Sequence, residues 1–211
     1  GSLLSSLTDL LGNTFLIVFY CIFIFMEESN FQHKVKNVFD DKKQYIKVNK
    51  ILNEVEISIS KYIGLKTIVS VSTGVLSYIV LYFVGLDSPM FWAFLIFLLN
   101  FIPAIGSLVA TIFPAIFSLI QFAEFTPFIL ILALVGTIQT IIGNIVEPKL
   151  LGNSLNLSSL VTILSWSFGG SIWGIMGMLL SVPIMVILVI VLSKFPQTKP
   201  IAIMLSEKGE V

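Results

Sequence analysis

The dominant pattern in this chain is a long apolar block that is nearly free of charge. Residues 67–193 contain four charged side chains, namely Asp87, Glu124, Glu147 and Lys149. The runs between them are long enough to supply the ~20 apolar residues that a helix needs to cross a bilayer. The pattern therefore predicts an all-α fold, a polytopic helical membrane protein with broken or re-entrant helices and a cytoplasmic amphipathic arm.

Two segments of this block fit simple crossings, Leu65 to Gly85 and Thr126 to Ile145. The 32-residue run from Phe91 to Phe122 is different, because polar and helix-breaking residues divide it into pieces too short to cross alone. We expect a broken helix or a hairpin there. Leu157 to Phe168 is also short, and the sequence predicts a break at Gly169-Gly170 before the next run, Ser171 to Leu192.

A second pattern precedes the block, where apolar residues recur at steps of three and four among lysines. They are Val48, Ile51, Leu52, Val55, Ile59 and Tyr62. This spacing predicts an amphipathic helix with a wet lysine face. Two interpretations stay open: a helix lying on an anionic leaflet or packed beneath the membrane domain, and an oligomerisation arm.

These patterns divide the chain into four predicted segments. Residues 1–26 form a first transmembrane segment, 27–64 a lysine-rich cytoplasmic arm, 65–193 the membrane transport core and 194–211 a cytoplasmic tail. The arm and the tail carry most of the lysines, so the positive-inside rule places both in the cytoplasm. Gly1-Ser2 resembles an expression scar, and we expect the natural chain to begin further upstream.

Composition supports this class and argues against others. The chain is 56% hydrophobic, with a mean hydropathy of +1.01. Twelve basic residues, all lysine, balance twelve acidic ones, which argues against a nucleic-acid partner. Cys21 and His33 each stand alone, so we expect no internal disulfide, no metal site and no cofactor. Because no nucleotide-binding loop or catalytic motif occurs, the sequence argues against an enzyme and against an ATP-driven pump.

The first break in the block combines backbone and side-chain polarity. Pro103 removes a backbone donor, Gly106 permits a turn, and Asn100 and Ser107 offer hydrogen bonds within apolar sequence. One interpretation is half of a binding site. The alternative is an ordinary helix kink.

The second break surrounds Glu147, Pro148 and Lys149. Pro148 is predicted to stop the helix after Glu147 and to leave carbonyl groups beside a carboxylate, a cradle for a cation, proton or polar solute. The alternative is a plain cytoplasmic loop. Gln139 and Asn144 precede this break and either face the same cavity or hold helices together.

The candidate substrate or ion pathway is therefore Asn100, Pro103, Gly106, Ser107, Gln139, Asn144, Glu147, Pro148, Lys149 and Gly152. A third cluster, Gly169, Gly170, Gly174, Gly177 and Pro183, has the spacing of close helix packing. A hinge or sliding surface is the alternative interpretation of that cluster.

Four sequence segments occur in an order and spacing that match a known family. They are Lys61 to Thr67, Leu99 to Ser107, Gly143 to Gly152 and Gly177 to Pro183. With them the chain resembles the autoinducer-2 exporter family from about Leu3 to Leu192, and most of all its quorum-signal exporter branch. Members of that family have two more N-terminal spans, so the resemblance covers their C-terminal two-thirds. It implies a multi-pass transporter or permease of the bacterial inner membrane, a homo-oligomer and in particular a pentamer, with an elevator-like movement.

The resemblance leaves the chemistry open between two kinds of transport. One hypothesis is a secondary transporter that exports a small polar solute, with the quorum-sensing signal autoinducer-2 (AI-2) as the named candidate. The other is a sodium(lithium)/proton antiporter in which Glu147 titrates. A non-transporting membrane scaffold, whose arm recruits a partner, is the third hypothesis. In each case the lipid bilayer is an expected partner.

Overall fold

The computed structural model describes residues 2–39, 41–102, 105–151 and 157–209, and in these ranges the regular structure is helical. The helices are α1 (Ser2–Val38), α2 (Lys42–Val84), α3 (Pro89–Leu99), α4 (Ile105–Phe122), α5 (Phe125–Ile141), a π turn (Ile142–Val146), α6 (Glu147–Leu151), α7 (Ser159–Ser193) and α8 (Lys199–Leu205). The predicted all-α class is confirmed.

Four helices of the described chain are long and apolar enough to cross a membrane. They are Lys42–Val84, Ile105–Phe122, Phe125–Leu150 and Ser159–Ser193. Their lipid-compatible faces carry exposed large apolar side chains, for example Phe83 and Ile120. The protein is therefore a multi-pass membrane protein, as the charge-poor block predicted.

The chain forms two compact units, residues 1–52 and residues 53–211. In the first unit, the apolar side chains from Phe15 to Met26 are exposed on every side of that stretch of α1, which suits contact with lipid. Phe19 contacts Phe15 and Phe23, with ring centroids 6.2 and 4.6 Å apart. The predicted segment boundaries at residues 26 and 64 fall inside α1 and α2, and the four-segment division stays a prediction.

The amphipathic stripe predicted before the block is present on α2. Ile51 and Tyr62 are buried, whereas Lys47, Lys50 and Lys61 are exposed. Since one face of the helix is covered and the other is wet, the periodicity of the sequence is confirmed here.

Helices α3 and α4 form a helical hairpin in the second unit. Trp92, near the start of α3, packs on Phe117, near the end of α4, with 5.1 Å between ring centroids. At the turn, a Cβ added to Gly106 would lie 1.8 Å from the carbonyl oxygen of Leu99. The two helices are thus antiparallel, and α3, at about 16 Å, is too short to cross a bilayer alone. We call this pair the first hairpin.

The first hairpin packs on α2 and α5 through a dense apolar core. Its fully buried members are Leu81, Leu86, Ile96, Ala110, Ala115, Ile131 and Val135. Gly74 lets α3 approach α2 closely, because a Cβ there would lie 3.2 Å from the backbone oxygen of Ala93. At the open end of the hairpin, the Gln121 amide donates to Gly85 O and accepts from Asp87 N–H.

Helix α7 is a second hairpin. Gly174 has φ 58° and ψ −138°, which breaks the helix into residues 159–173 and 175–193. Residues eight apart in a continuous helix are about 12 Å apart, yet a Cβ on Gly177 would lie 1.8 Å from Gly169 O. The two halves therefore pack against each other. The expected break at Gly169-Gly170 was wrong in position, since those residues continue the helix. The positive φ, which glycine tolerates, lies at Gly174.

The two hairpins begin and end at opposite ends of the second unit. The second hairpin begins where Ser158 N–H donates to Leu205 O, at 3.0 Å. It ends at Lys194, whose Nζ lies 2.7 Å from Glu54. The first hairpin instead begins and ends beside Gln121, at the far end of α2 from Glu54.

Candidate functional site

A cavity of about 640 Å³ lies in the second unit between α2, the first hairpin and the end of α5. Its wall consists of Lys66, Asn100, Ile102, Ser107, Leu108, Thr111, Ile112, Leu132, Gly136, Gln139, Thr140, Gly143, Asn144 and Glu147. Polar groups are thus gathered into one recess of an otherwise apolar unit, the usual character of a small-molecule site.

Asn100 reaches the cavity because α3 ends there. Its side chain is buried, and its Nδ2 donates to Ser70 Oγ on α2 at 3.1 Å. A buried amide in an apolar environment requires such a partner. The bond fixes the turn of the first hairpin against the middle of α2.

Lys66 and Glu147 form an ion pair on the cavity wall, with Nζ 2.5 Å from Oε1. The lysine side chain is 5% exposed and the carboxylate side chain 20%. Each charge would be costly to bury alone, so the pair allows both to lie inside the unit. Sequence reasoning missed Lys66 as a site residue, although its place immediately before the charge-poor block was a usable signal.

A π turn carries Asn144 and leads into Glu147. The Glu147 N–H donates to Ile142 O, five residues earlier, and α6 then continues the same helical path. The expectation that Pro148 stops the helix after Glu147 was therefore wrong. Pro148 lacks an N–H and its ring crowds the carbonyl four residues before it in an α-helix, so the wider turn accommodates it without a break.

Gln139 lies one turn before this feature and is 7% exposed. Its Nε2 is buried and has no hydrogen-bond partner within the described residues. Thr140 and Thr111 also line the wall, but their hydroxyls donate to Gly136 O and Ser107 O on their own helices. Sequence reasoning did not predict either threonine as a wall residue, although a hydroxyl inside an apolar helix is a polar group that could have indicated the site.

The structure brings half of the predicted pathway residues to this wall, namely Asn100, Ser107, Gln139, Asn144 and Glu147. Gly106 is buried at the turn of the first hairpin. Pro148 and Lys149 are exposed and are not part of the wall. Pro103 and Gly152 lie outside the described residues. Whether these residues act in transport stays a prediction.

The glycine cluster occupies a different place from the cavity. Gly169, Gly170 and Gly177 lie where the halves of the second hairpin touch, and Gly174 forms its turn. Pro183 lies inside the returning half. The contact accounts for the small residues, and a hinge role stays a prediction. In the described ranges no group of three or more His, Cys, Asp or Glu side chains could hold a metal ion.

Comparison with known proteins decides the family. A family model described as AI-2E family transporter matches residues 1–197. The chain belongs to the AI-2E transporter family. It is 33% identical over 206 residues to the AI-2 transport protein TqsA of Escherichia coli K12, covering 98% of this chain and 59% of that protein.

A second relative of this AI-2E family member comes from Borreliella burgdorferi and is named a candidate transport protein. It is 36% identical over 197 residues, which cover 92% of this chain and 54% of the relative. The chain thus spans between half and two thirds of these relatives' length. The resemblance found in the sequence motifs is confirmed, and the matching family is described as a family of transporters.

Proposed function

We propose that this AI-2E family member binds a small, uncharged polar solute in the cavity and exports it across the bacterial inner membrane as a secondary transporter. The observation that carries this proposal is the convergence of Asn100, Gln139 and Asn144 beside a self-neutralising ion pair. AI-2 is the named candidate because the E. coli relative is named an AI-2 transport protein.

The size and charge of the cavity favour a neutral solute. About 640 Å³ falls within the range of pockets that enclose small molecules. Because Lys66 and Glu147 neutralise each other, the pair adds no net charge and offers no unpaired counter-charge to a bound cation or anion. Amide and hydroxyl groups then provide the recognition.

Sodium(lithium)/proton antiport is the second candidate, and Glu147 favours it as the acidic member of the wall. In this mechanism the Lys66 to Glu147 pair has to open before the carboxylate accepts a cation or proton. Substitution of the pair therefore distinguishes the two transport functions experimentally. A scaffold would need neither the cavity nor the pair.

The deciding experiment uses the full-length protein in sealed vesicles. We expect wild type to carry AI-2, and we expect the double variant Lys66→Met, Glu147→Gln to retain most of that flux because both charges leave together. An antiporter would lose sodium-driven proton movement in the same variant. Absence of both activities in wild type would favour the scaffold.

The lysine distribution supports a cytoplasmic position for the end that contains Lys61 and Lys199, while Asp87 and Glu124 mark the opposite end. In a Cys21→Ser background, we expect an impermeant thiol reagent outside intact cells to label Glu124→Cys but not Lys199→Cys. Strong labelling of Lys199→Cys in sealed cells would reverse the topology. Cell lysis serves as the control, since it should make both sites reactive.

Assembly into a homo-oligomer such as a pentamer stays part of the proposal.

A further inference from the structure

The side-chain amide of Gln139 is a buried hydrogen-bond donor on the wall of the cavity. The residue is 7% exposed, and Nε2 meets no acceptor among the described residues. Buried donors in folded proteins are nearly always satisfied, and an unsatisfied one costs stability. Such a group inside a cavity is arranged for an acceptor that arrives with a ligand.

Four other donors on the same wall each have an acceptor within the protein. Thr140 donates to Gly136 O at 2.8 Å and Thr111 to Ser107 O at 2.9 Å. The amide of Asn100 donates to Ser70, and the Lys66 ammonium donates to Glu147. Gln139 differs from these four because no described residue provides an acceptor for its amide nitrogen.

We infer that Gln139 is a specificity-determining residue that donates a hydrogen bond to an oxygen atom of the transported solute. This inference rests on the proposed function and narrows its substrate class to uncharged molecules with a carbonyl, ether or hydroxyl oxygen. An ammonium group is not recognised by this amide, because it offers Nε2 no acceptor. Apolar solutes of the same size leave the buried donor unsatisfied.

The test substitutes Gln139 by Met, which has similar length and no donor. In vesicles containing the full-length protein, we expect KM for AI-2 to rise about tenfold or more, with a maximal rate within about twofold of wild type. The unliganded variant should melt at the same temperature as wild type or higher, because an unsatisfied buried donor has been removed.

Thr137→Val is the matched control, since Thr137 is exposed on α5, is not part of the cavity wall and donates its hydroxyl to Ala133 O within the helix. We expect KM for AI-2 to change by less than about threefold in that variant. An equal rise in both variants would mean that a change in α5, rather than loss of the donor, raises KM. An unchanged KM in Gln139→Met would also overturn the assignment.

The same measurements distinguish failure of the proposed function from failure of the role inferred for Gln139. If wild-type vesicles carry no AI-2, the solute is wrong, and melting of unliganded Gln139→Met then decides the role of Gln139. A lower melting temperature would show that the amide supports the fold and would overturn the inference. An equal or higher temperature would support a donor reserved for a ligand.

Discussion

Replacing Lys66 by Met is expected to destabilise the protein by about 3 kcal/mol, because it leaves the Glu147 carboxylate partly buried without its partner. The lysine side chain is 5% exposed, so water does not readily take its place. Unfolding in detergent, followed by circular dichroism or intrinsic fluorescence, provides the measurement.

The double variant Lys66→Met, Glu147→Gln should recover most of the lost stability, since no lone charge remains in the unit. Lys61→Met is the matched single control, because Lys61 is exposed on the same helix and should change stability little. Equal losses at Lys66 and Lys61, or no recovery in the double variant, would contradict a buried, mutually dependent pair.

Gly106→Ala is expected to destabilise the first hairpin by about 3 kcal/mol or more, because the new Cβ would lie 1.8 Å from Leu99 O. The atom it meets belongs to the backbone, so the turn itself has to move. Asn100, which holds this turn to Ser70, should shift as well. We expect reduced melting temperature and loss of AI-2 transport together.

Gly143→Ala is the control for that substitution. Gly143 lines the same cavity, yet a Cβ there has nothing within 4 Å, so stability should be nearly unchanged. A fold as stable as wild type in Gly106→Ala would mean that α3 and α4 do not approach as closely as described. Equal damage from both variants would indicate that neither measures the turn.

Sequence reasoning found the helical membrane class because the length and composition of the apolar runs determine it. It also found Asn100, Gln139 and Glu147, since an isolated polar side chain is conspicuous between apolar runs. These residues come together because the first hairpin returns one break to the level of the other. The hydrophobic periodicity of one segment carries no information on how close two distant breaks lie in the fold.

The errors have physical causes as well. Pro148 was expected to end a helix because it lacks a backbone N–H. The π turn just before it instead lets the helical path continue. Lys66 belongs by sequence to a run of surface lysines, and only the fold buries it beside Glu147. The sequence pattern predicted the turn of α7 at Gly169-Gly170, whereas Gly174, four residues after Gly170, has the positive φ. Three nearby glycines offer several bends, and packing between the halves selects one.

The ion pair on the cavity wall also has an electrical consequence. One ammonium and one carboxylate sum to zero, so a cavity that holds an uncharged solute can pass through the transmembrane field without electrical work. Such a step is insensitive to voltage, so the membrane potential would neither drive it nor oppose it. Removing either charge alone would couple the same movement to the potential, at about 2.3 kcal/mol for each 100 mV that a full charge crosses.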